Sequence, residues 1–243
     1  MNSILISICA RGGSKGIPKK NIKLLDGKHL ISYTINHANE IKKWFETEKN
    51  AIVTISLSTD SDEIKKVAEL YGLKTNYKRA DYLANDTAGK LDVIKDLLLY
   101  SESNKQHFDY VLDLDVSAPM RTIQDLKNGF LAIDDNDNAK NLFSVSEATK
   151  NPYFNMVEKD KNGFYSLSKK TKQVLSRQKS PKVFEMNASF YYYKRDFFNA
   201  KELTMFNNSL IFEMEHVSFD LDSIIEFEFL DYLITTNKLS FKI

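Results

Sequence analysis

ILISICARGGSKGIPKKN, residues 4–21, decides the architecture of this chain. Its first part, Ile4 to Cys9, is too short for a helix and too apolar for an edge strand. It predicts a strand buried on both faces, as in a parallel sheet. Ala10 to Asn21 then breaks the pattern with three glycines and one proline. A turn at the carboxyl end of an inner strand lies where open α/β sheets bind ligands. Gly12, Gly13 and Gly16 permit close backbone approach and offer exposed N–H groups. Arg11, Lys15, Lys19 and Lys20 add positive charge, and Ser14 adds a hydroxyl donor. The composition is that of a polyphosphate cradle. The spacing is neither GxxxxGK[ST] nor GxGxxG, so it is neither a Walker loop nor a dinucleotide fingerprint.

Working outward, Leu30 to Ile41 has helical spacing and Ala51 to Ser58 reads as a second strand. Asp60 and Glu63 suggest a capping box for a helix ending at Gly72, with Ile64, Val67, Ala68 and Tyr71 on its apolar face. Leu91 to Tyr100 reads as a helix, Tyr110 to Leu114 as a third inner strand and Asp125 to Ile133 as a helix. This βαβα order predicts a doubly wound, mostly parallel α/β sheet. After about residue 140 the pattern changes. Leu142 to Ser146, Phe154 to Glu158 and Phe164 to Leu167 read as short strands separated by turn chemistry, followed by a basic polar stretch, Lys169 to Lys182. The expectation is an α/β domain of residues 1–140 and 183–243 interrupted by a small lobe, 141–182. Ser189 to Tyr193 and Val217 to Phe219 read as strands and Ser223 to Leu233 as a closing helix.

With 34 basic and 33 acidic side chains the formal charge is +1. That balance argues against bulk nucleic-acid binding, which needs a basic surplus. A single cysteine, Cys9, excludes an intrachain disulfide, a Cys-rich zinc site and an iron–sulfur cluster, and fits a reducing cytoplasm. No apolar run is long enough to span a bilayer. The first residues lack a basic region and a long apolar core, so no secretory leader is expected.

Two Asp-x-Asp pairs stand out, Asp113/Asp115 and Asp220/Asp222. On a strand, residues i and i+2 point the same way, so either pair could aim two hard carboxylate ligands at one Mg²⁺. Asp60 is a third acidic candidate, with helix capping as its alternative role. His29, His37, His107 and His216 share no metal-ligand spacing. Cys9 reads as a small buried hydrophobe, and no serine carries a nucleophile signature. Tyr191, Tyr192 and Tyr193 would divide between the two faces of a strand.

ARGGSKGIPKKN resembles the signature of the sialic acid (N-acylneuraminate) cytidylyltransferases, the CMP-nonulosonate synthetases, and the resemblance runs through almost the whole chain. Ser58-Thr59-Asp60, Arg79, Asn85-Asp86-Thr87-Ala88, LDVSAPMRT at 114–122, Met186-Asn187-Ala188-Ser189 and Phe219-Asp220-Leu221-Asp222 resemble the later stations of that family in the same order. The resemblance implies a Rossmann-like fold of the nucleotide-diphospho-sugar transferase type. It implies transfer of CMP from CTP to the anomeric C2 hydroxyl of a nine-carbon 2-keto sugar acid, with loss of pyrophosphate. Arg11, Gly12, Ser14, Lys15, Lys20 and Asn21 would hold CTP and its phosphates, with Arg79 and Thr87 around the cytosine. Asp220 and Asp222 would hold Mg²⁺ or Mn²⁺ and, with Lys20 and Arg11, serve the chemical step. Asp115, Asn187, Ala188 and Ser189 would face the sugar.

The departures cluster on the sugar side. Sialate members carry Gln where this chain has Asp115, and Asn-Gly-Ala becomes Asn187-Ala188-Ser189. The lobe proline, Pro152, is followed by Tyr153 and Phe154 where a lysine is usual. This pattern resembles the legionaminate branch, with N,N′-diacetyllegionaminic acid as the implied sugar. N-acetylneuraminic acid and, behind it, pseudaminic acid are the alternatives, and a CTP-binding regulatory domain is the non-enzymatic one. The lobe resembles the family's dimerisation region, which implies a homodimer in which Arg177 reaches the partner's sugar site. No nucleic acid or membrane partner is implied.

Overall fold

The computed structural model describes residues 1–103, 105–169 and 177–243, with Arg177 described in its backbone alone. The order along the chain is β1 (Ser3–Cys9), the short hairpin β2 (Leu24–Leu25) and β3 (Lys28–His29), α1 (Leu30–Glu48), β4 (Ile52–Ser58) and α2 (Asp62–Leu70). Then follow α3 (Lys90–Ser103), β5 (Tyr110–Asp115), α4 (Ile123–Asp134), β6 (Asn141–Glu147), the small hairpin β7 (Val157–Lys159) and β8 (Tyr165–Leu167), β9 (Phe184–Lys194), β10 (Ser209–Glu213) and α5 (Ile224–Thr235).

The central sheet has six strands in the order β10-β6-β9-β5-β1-β4. β4, β1 and β5 are parallel, as are β6 and β10, and β9 runs antiparallel between β5 and β6. The fold is thus the doubly wound, mostly parallel α/β sheet that the strand and helix spacing predicts. Ile4, Ile6 and Ile8 of β1 share one core with α1, α4 and α5, including Phe45, Phe130 and Leu230. Leu5 points the other way, into a second core with Ile94 and Leu98 of α3. The tyrosine run divides as a strand requires: Tyr192 joins the first core, Tyr191 and Tyr193 the second.

Four local expectations are corrected. The N-cap of α2 is Ser61, whose hydroxyl accepts from Ile64 N at 3.3 Å. Asp60 is spent elsewhere, accepting from Gly12 N at 2.9 Å. Gly72, at φ +81°, does turn the chain after the helix. Asn141–Glu147 opens no separate lobe: β6 lies inside the central sheet, paired on both sides, because its side chains from Asn141 to Val145 are buried. Of the lobe's first expected hairpin strand, Phe154 to Met156 form a turn closed by amide bonds to Asn151 O, and pairing begins at Val157. Val217 to Phe219 is not a strand; the last strand is β10, eight residues earlier at its start, and 214–222 crosses the sheet edge as an irregular strap. Half of the basic stretch, residues 170–176, lies outside the described residues.

Candidate active site

Because β1, β4 and β5 run parallel, their carboxyl ends, Cys9, Ser58 and Asp115, meet at one edge. The chain passes from β1 to β4 on one side and returns to β5 on the other. The loops after β1 and β5 therefore part at this point and leave a crevice. A cavity of about 390 Å³ occupies it, and Arg11, Ser14, Lys15, Lys20, Asn21, Arg79, Asp115 and Asp222 all line it. These residues are spread over most of the sequence.

The glycine loop forms one wall. Asn21 is buried and donates to Arg11 O at 2.9 Å, closing the loop on itself. Gly12 N is committed to Asp60 rather than to the cavity, so Asp60 anchors the loop. A Cβ on Gly16 would lie 2.0 Å from the Asp222 carbonyl oxygen, so glycine is needed where loop and strap touch. Lys19 and Lys20 diverge. Lys19 takes a left-handed φ of 54° and pairs with Glu63 at 2.8 Å outside the cavity. Lys20 turns inward, with Nζ 3.4 Å from Asp222 Oδ1. Arg11 and Lys15 converge on the Asp86 carboxylate at 2.9 and 2.6 Å. The Lys15 hydrogen bond, against slight burial, holds that carboxyl below its ordinary value. Arg79 is buried and braced by Ser58, through Nε to Oγ at 2.9 Å and Nη2 to the carbonyl at 2.8 Å.

The opposite wall is acidic. Asp113 and Asp115 of β5 face the α3 side together, but they do not form an open ligand pair. Lys90, the first residue of α3, sits 3.0 Å from Asp113 Oδ2 and 2.7 Å from Asp115 Oδ2, with its ammonium 4.2 Å above the Tyr191 ring. Ser7 Oγ donates to Asp113 Oδ1, and Ser117 N and Oγ both donate to Asp115 Oδ1 at 2.8 Å. Burial alone would raise the Asp115 pKa; the Lys90 charge and the hydrogen bonds from Lys90 and Ser117 overcome it and lower it to about 2. Burial would likewise lower the Lys90 pKa, yet Asp113 and Asp115 raise it well above its ordinary value. The charge of Asp113 and Asp115 is thus already countered by a lysine, while Asp113 Oδ2, like Asp220 Oδ1, accepts no hydrogen bond among the described residues.

Asp220 and Asp222 differ. Leu221 between them is fully buried and its amide donates to Ser117 O at 2.8 Å, so the strap is pinned beside Asp115. Asp220 Oδ1 is buried without a hydrogen-bond partner among the described residues. Burial first, and then the Asp115 and Asp222 charges, raise the Asp220 pKa. The Asp222 side chain is 77% exposed at the cavity mouth. No cluster of three or more His, Cys, Asp or Glu suited to a metal occurs among the described residues. Two carboxylates do suffice for Mg²⁺ when substrate phosphates complete its shell, and an orphaned buried carboxylate oxygen fits that role.

The remaining expected residues stand back from the cavity. Thr87 donates through N and Oγ1 to Asn85 Oδ1 and lines a neighbouring groove with Tyr82 and Leu83. Asn187 is buried, accepting from Ser144 Oγ at 2.6 Å and donating to Ser146 Oγ at 3.0 Å. Ser189 Oγ donates to Ala118 O. Between them Ala188 holds φ +57°, which explains why the resembling family has glycine in this turn. These three shape a β9 bulge behind the acidic wall. The side chain of Arg177 lies outside the described residues.

Two side chains that organise this wall received no role in the sequence reading. One is Lys90, whose only sequence trace is a cation opening a helix, where the macrodipole disfavours it. The other is Arg121, fully buried, which donates to the carbonyls of Asp115 and Ser189 and so ties the acidic wall to the bulge.

Comparison with known proteins agrees with this geometry. The family model described as "Cytidylyltransferase" matches residues 5–234. The chain is 40% identical over 242 residues to the CMP-N,N′-diacetyllegionaminic acid synthase of Campylobacter jejuni, covering 99% of this chain and 98% of that protein. It is 39% identical over 244 residues to the post-translational flagellin modification protein B of Campylobacter coli, covering 100% and 99%. Among solved structures, a CMP:2-keto-3-deoxy-manno-octonic acid synthetase complexed with CTP shares the fold at a TM-score of 0.70 and 16% identity, over 98% of this chain and 100% of that one. A glycine-rich cationic loop, an acidic strap and a family match over nearly the full length lead to one conclusion: this chain belongs to the cytidylyltransferase family and is a CTP-dependent nucleotidyltransferase.

Proposed function

We propose that this enzyme transfers CMP from CTP to the C2 hydroxyl of a nonulosonic acid, N,N′-diacetyllegionaminic acid. The observation that carries the reading is the single cavity where Arg11, Ser14, Lys15 and Lys20 face Asp115 and Asp222. Support for the sugar comes from the 40% identical relative named for that product. In-line attack by the hydroxyl oxygen forms the new bond to the α-phosphorus while the bond to pyrophosphate breaks and the hydroxyl proton passes to solvent. This chemistry needs positioning and charge neutralisation rather than a covalent intermediate. Arg11 and Lys15 leave Asp86 to meet the triphosphate, an exchange made easy because both pairs are solvent-exposed. Lys20, with its side chain largely covered, meets the charge that develops as pyrophosphate leaves. Asp220 and Asp222 are the residues that would hold Mg²⁺, which when bound neutralises phosphate charge and acidifies the attacking hydroxyl.

The reading extends to a homodimer built through the lobe, with Arg177 completing the partner's sugar site. An apolar groove of about 700 Å³ supports it, lined by Phe143, Val145, Pro152, Met156, Phe184, Met186, Phe206 and Ile211. Contiguous apolar surface of this kind is a feature of interfaces. No helix among the described residues is long and apolar enough to cross a membrane. A free cysteine at the end of β1 fits a cytoplasmic enzyme.

The test competes N,N′-diacetyllegionaminic acid with N-acetylneuraminic acid in one reaction containing CTP and Mg²⁺, scored by kcat/KM. Preference for the first is expected, and equal or better use of the second returns the chain to the sialate branch. Parallel reactions with UTP, GTP and ATP should release little pyrophosphate. Sedimentation should give a dimer, and mixing Arg177→Ala with Asp222→Asn protomers should restore part of the activity that each has lost.

A further inference from the structure

Lys90 reaches the cavity wall and remains unassigned by the transfer chemistry. Its ammonium has three N–H groups. One is directed at Asp115 Oδ2 at 2.7 Å, while Asp113 lies 3.0 Å away as a second counter-charge and the Tyr191 ring lies 4.2 Å below. The side chain keeps 31% exposure, so donor capacity is left on the cavity side. Asp115 Oδ1 is saturated by Ser117 N and Oγ, but Oδ2 accepts from Lys90 alone. A carboxylate oxygen has room for a second donor.

The charges also matter. Lys90 and the buried Arg121 stand against Asp113 and Asp115, so these four side chains cancel in charge, with the strap's Asp220 beside them. They differ from the loop wall, where Arg11, Lys15 and Lys20 share only Asp86 and Asp222. A wall with no cationic surplus gives no net attraction to phosphate or to a sugar carboxylate. What it offers is one donor beside one acceptor, the complement of a hydroxyl or of a secondary amide, each of which both donates and accepts.

We propose that Lys90 and Asp115 form a donor–acceptor pair that reads a neutral hydroxyl or acylamino group of the substrate, with Lys90 a substrate-contacting residue. Such a group occurs on the ribose of CTP and on a polyhydroxylated sugar acid, and the pair takes whichever reaches this wall. Cytidylyl transfer is enough to support the nucleotide version, whereas the sugar version rests on the nonulosonate reading above.

The test is a cycle between protein and substrate. Wild type, Lys90→Met and Lys90→Gln are compared for binding of CTP, 2′-deoxyCTP and 3′-deoxyCTP by calorimetry without sugar. They are compared again by kcat/KM on whichever sugar the enzyme turns over, and on analogues of it lacking one hydroxyl or acyl group at a time. Wild type should lose about tenfold or more on one analogue, the equivalent of one hydrogen bond to a charged partner. Lys90→Met should be blind to that same change, and Lys90→Gln should recover part of the discrimination. Coupling to a ribose hydroxyl assigns the pair to CTP; coupling to a sugar group assigns it to the sugar. Penalties that multiply independently for every analogue overturn the proposal. So does a Lys90→Met loss that grows from CMP to CTP with phosphate count, since that would mark an anion site. Because Lys90→Met leaves two carboxylates facing each other, Lys90→Met/Asp113→Asn, which removes a cation and an anion together, carries the same cycle if the single variant fails to fold. The calorimetric arm stands whatever sugar is used, so failure of the sugar assignment and failure of this proposal read out separately.

Discussion

Asp113/Asp115 and Asp220/Asp222 are the same three-residue pattern, brought side by side where Leu221 N bonds Ser117 O at 2.8 Å, yet they have opposite physical states. The first pair lies on a strand, faces one side and is countered by the Lys90 ammonium. The second lies on an irregular strap, divided by the buried Leu221, with Asp220 lacking a partner for one buried oxygen and Asp222 open to solvent. A carboxylate pair becomes a structural element when the fold supplies its counter-charge. It becomes a candidate metal site when one of its carboxylates stays exposed and the other keeps a buried oxygen unbonded, with only the more distant Lys20 at 3.4 Å as counter-charge.

The largest effect expected from breaking this comparison is on catalysis. Asp220→Asn and Asp222→Asn should each lower kcat by about 10²–10³, the range for losing an electrostatic contact in a transition state. Circular dichroism should remain native. Asp220→Asn should also raise Tm at pH 7, because burial and the neighbouring Asp115 and Asp222 charges disfavour the ionised carboxylate. Near-normal turnover over a Mg²⁺ titration for both variants would sink the metal assignment.

Next in size, Asp113→Ala should destabilise the fold by about 3 kcal/mol, as expected for removing one member of a buried ion pair. The pH dependence should have opposite sign at the two pairs. The Asp115 pKa is depressed to about 2, so its contribution is complete above the ordinary carboxylate value and is lost as pH falls toward 2. The Asp220 pKa is raised, so the folded state binds the extra proton, and stability from this group increases as pH falls through that raised value. Urea unfolding from pH 7 to pH 3 should therefore steepen its acid loss in Asp220→Asn and flatten it in Asp115→Asn.

A smaller contrast separates the neighbouring lysines of the loop. Lys20→Ala should reduce kcat by about tenfold or more, while Lys19→Ala, whose side chain pairs with Glu63, should change it little. Equal small effects would remove the role given to Lys20. The least effect is expected at the bulge behind the acidic wall. Ala188→Gly should raise stability by about 1 kcal/mol, since an alanine at φ +57° carries the left-handed penalty that glycine lacks. Thermal unfolding of the variant measures it.

Much of this was legible in residues 4–21, because a buried strand followed by glycines and cations admits few other readings. The alternation of Ile4, Ile6 and Ile8 against Leu5, and the split of Tyr191 to Tyr193, follow from the strand period alone. Other features hid because they depend on partners distant in sequence. Asp60 looked like a helix cap until Gly12 N took its carboxylate. Leu142 to Ser146 looked like the start of a lobe, since a short apolar run reads alike in a hairpin and in a central sheet.

What the sequence by itself determined was the alternation of strands and helices up to about residue 140, the position of the glycine-rich cationic loop and the residue types that gather there. These follow from local periodicity and from the restricted chemistry of glycine, lysine and aspartate. Only the tertiary structure decided which cation meets which aspartate, and how closely. Lys90 and Asp115 are 25 residues apart and in contact at 2.7 Å, whereas Lys20 and Asp222 are 202 apart and meet at 3.4 Å on an exposed carboxylate. Charge compensation acts through space within a few ångströms, so no spacing along the chain could have distinguished the tightly held pair from the exposed one.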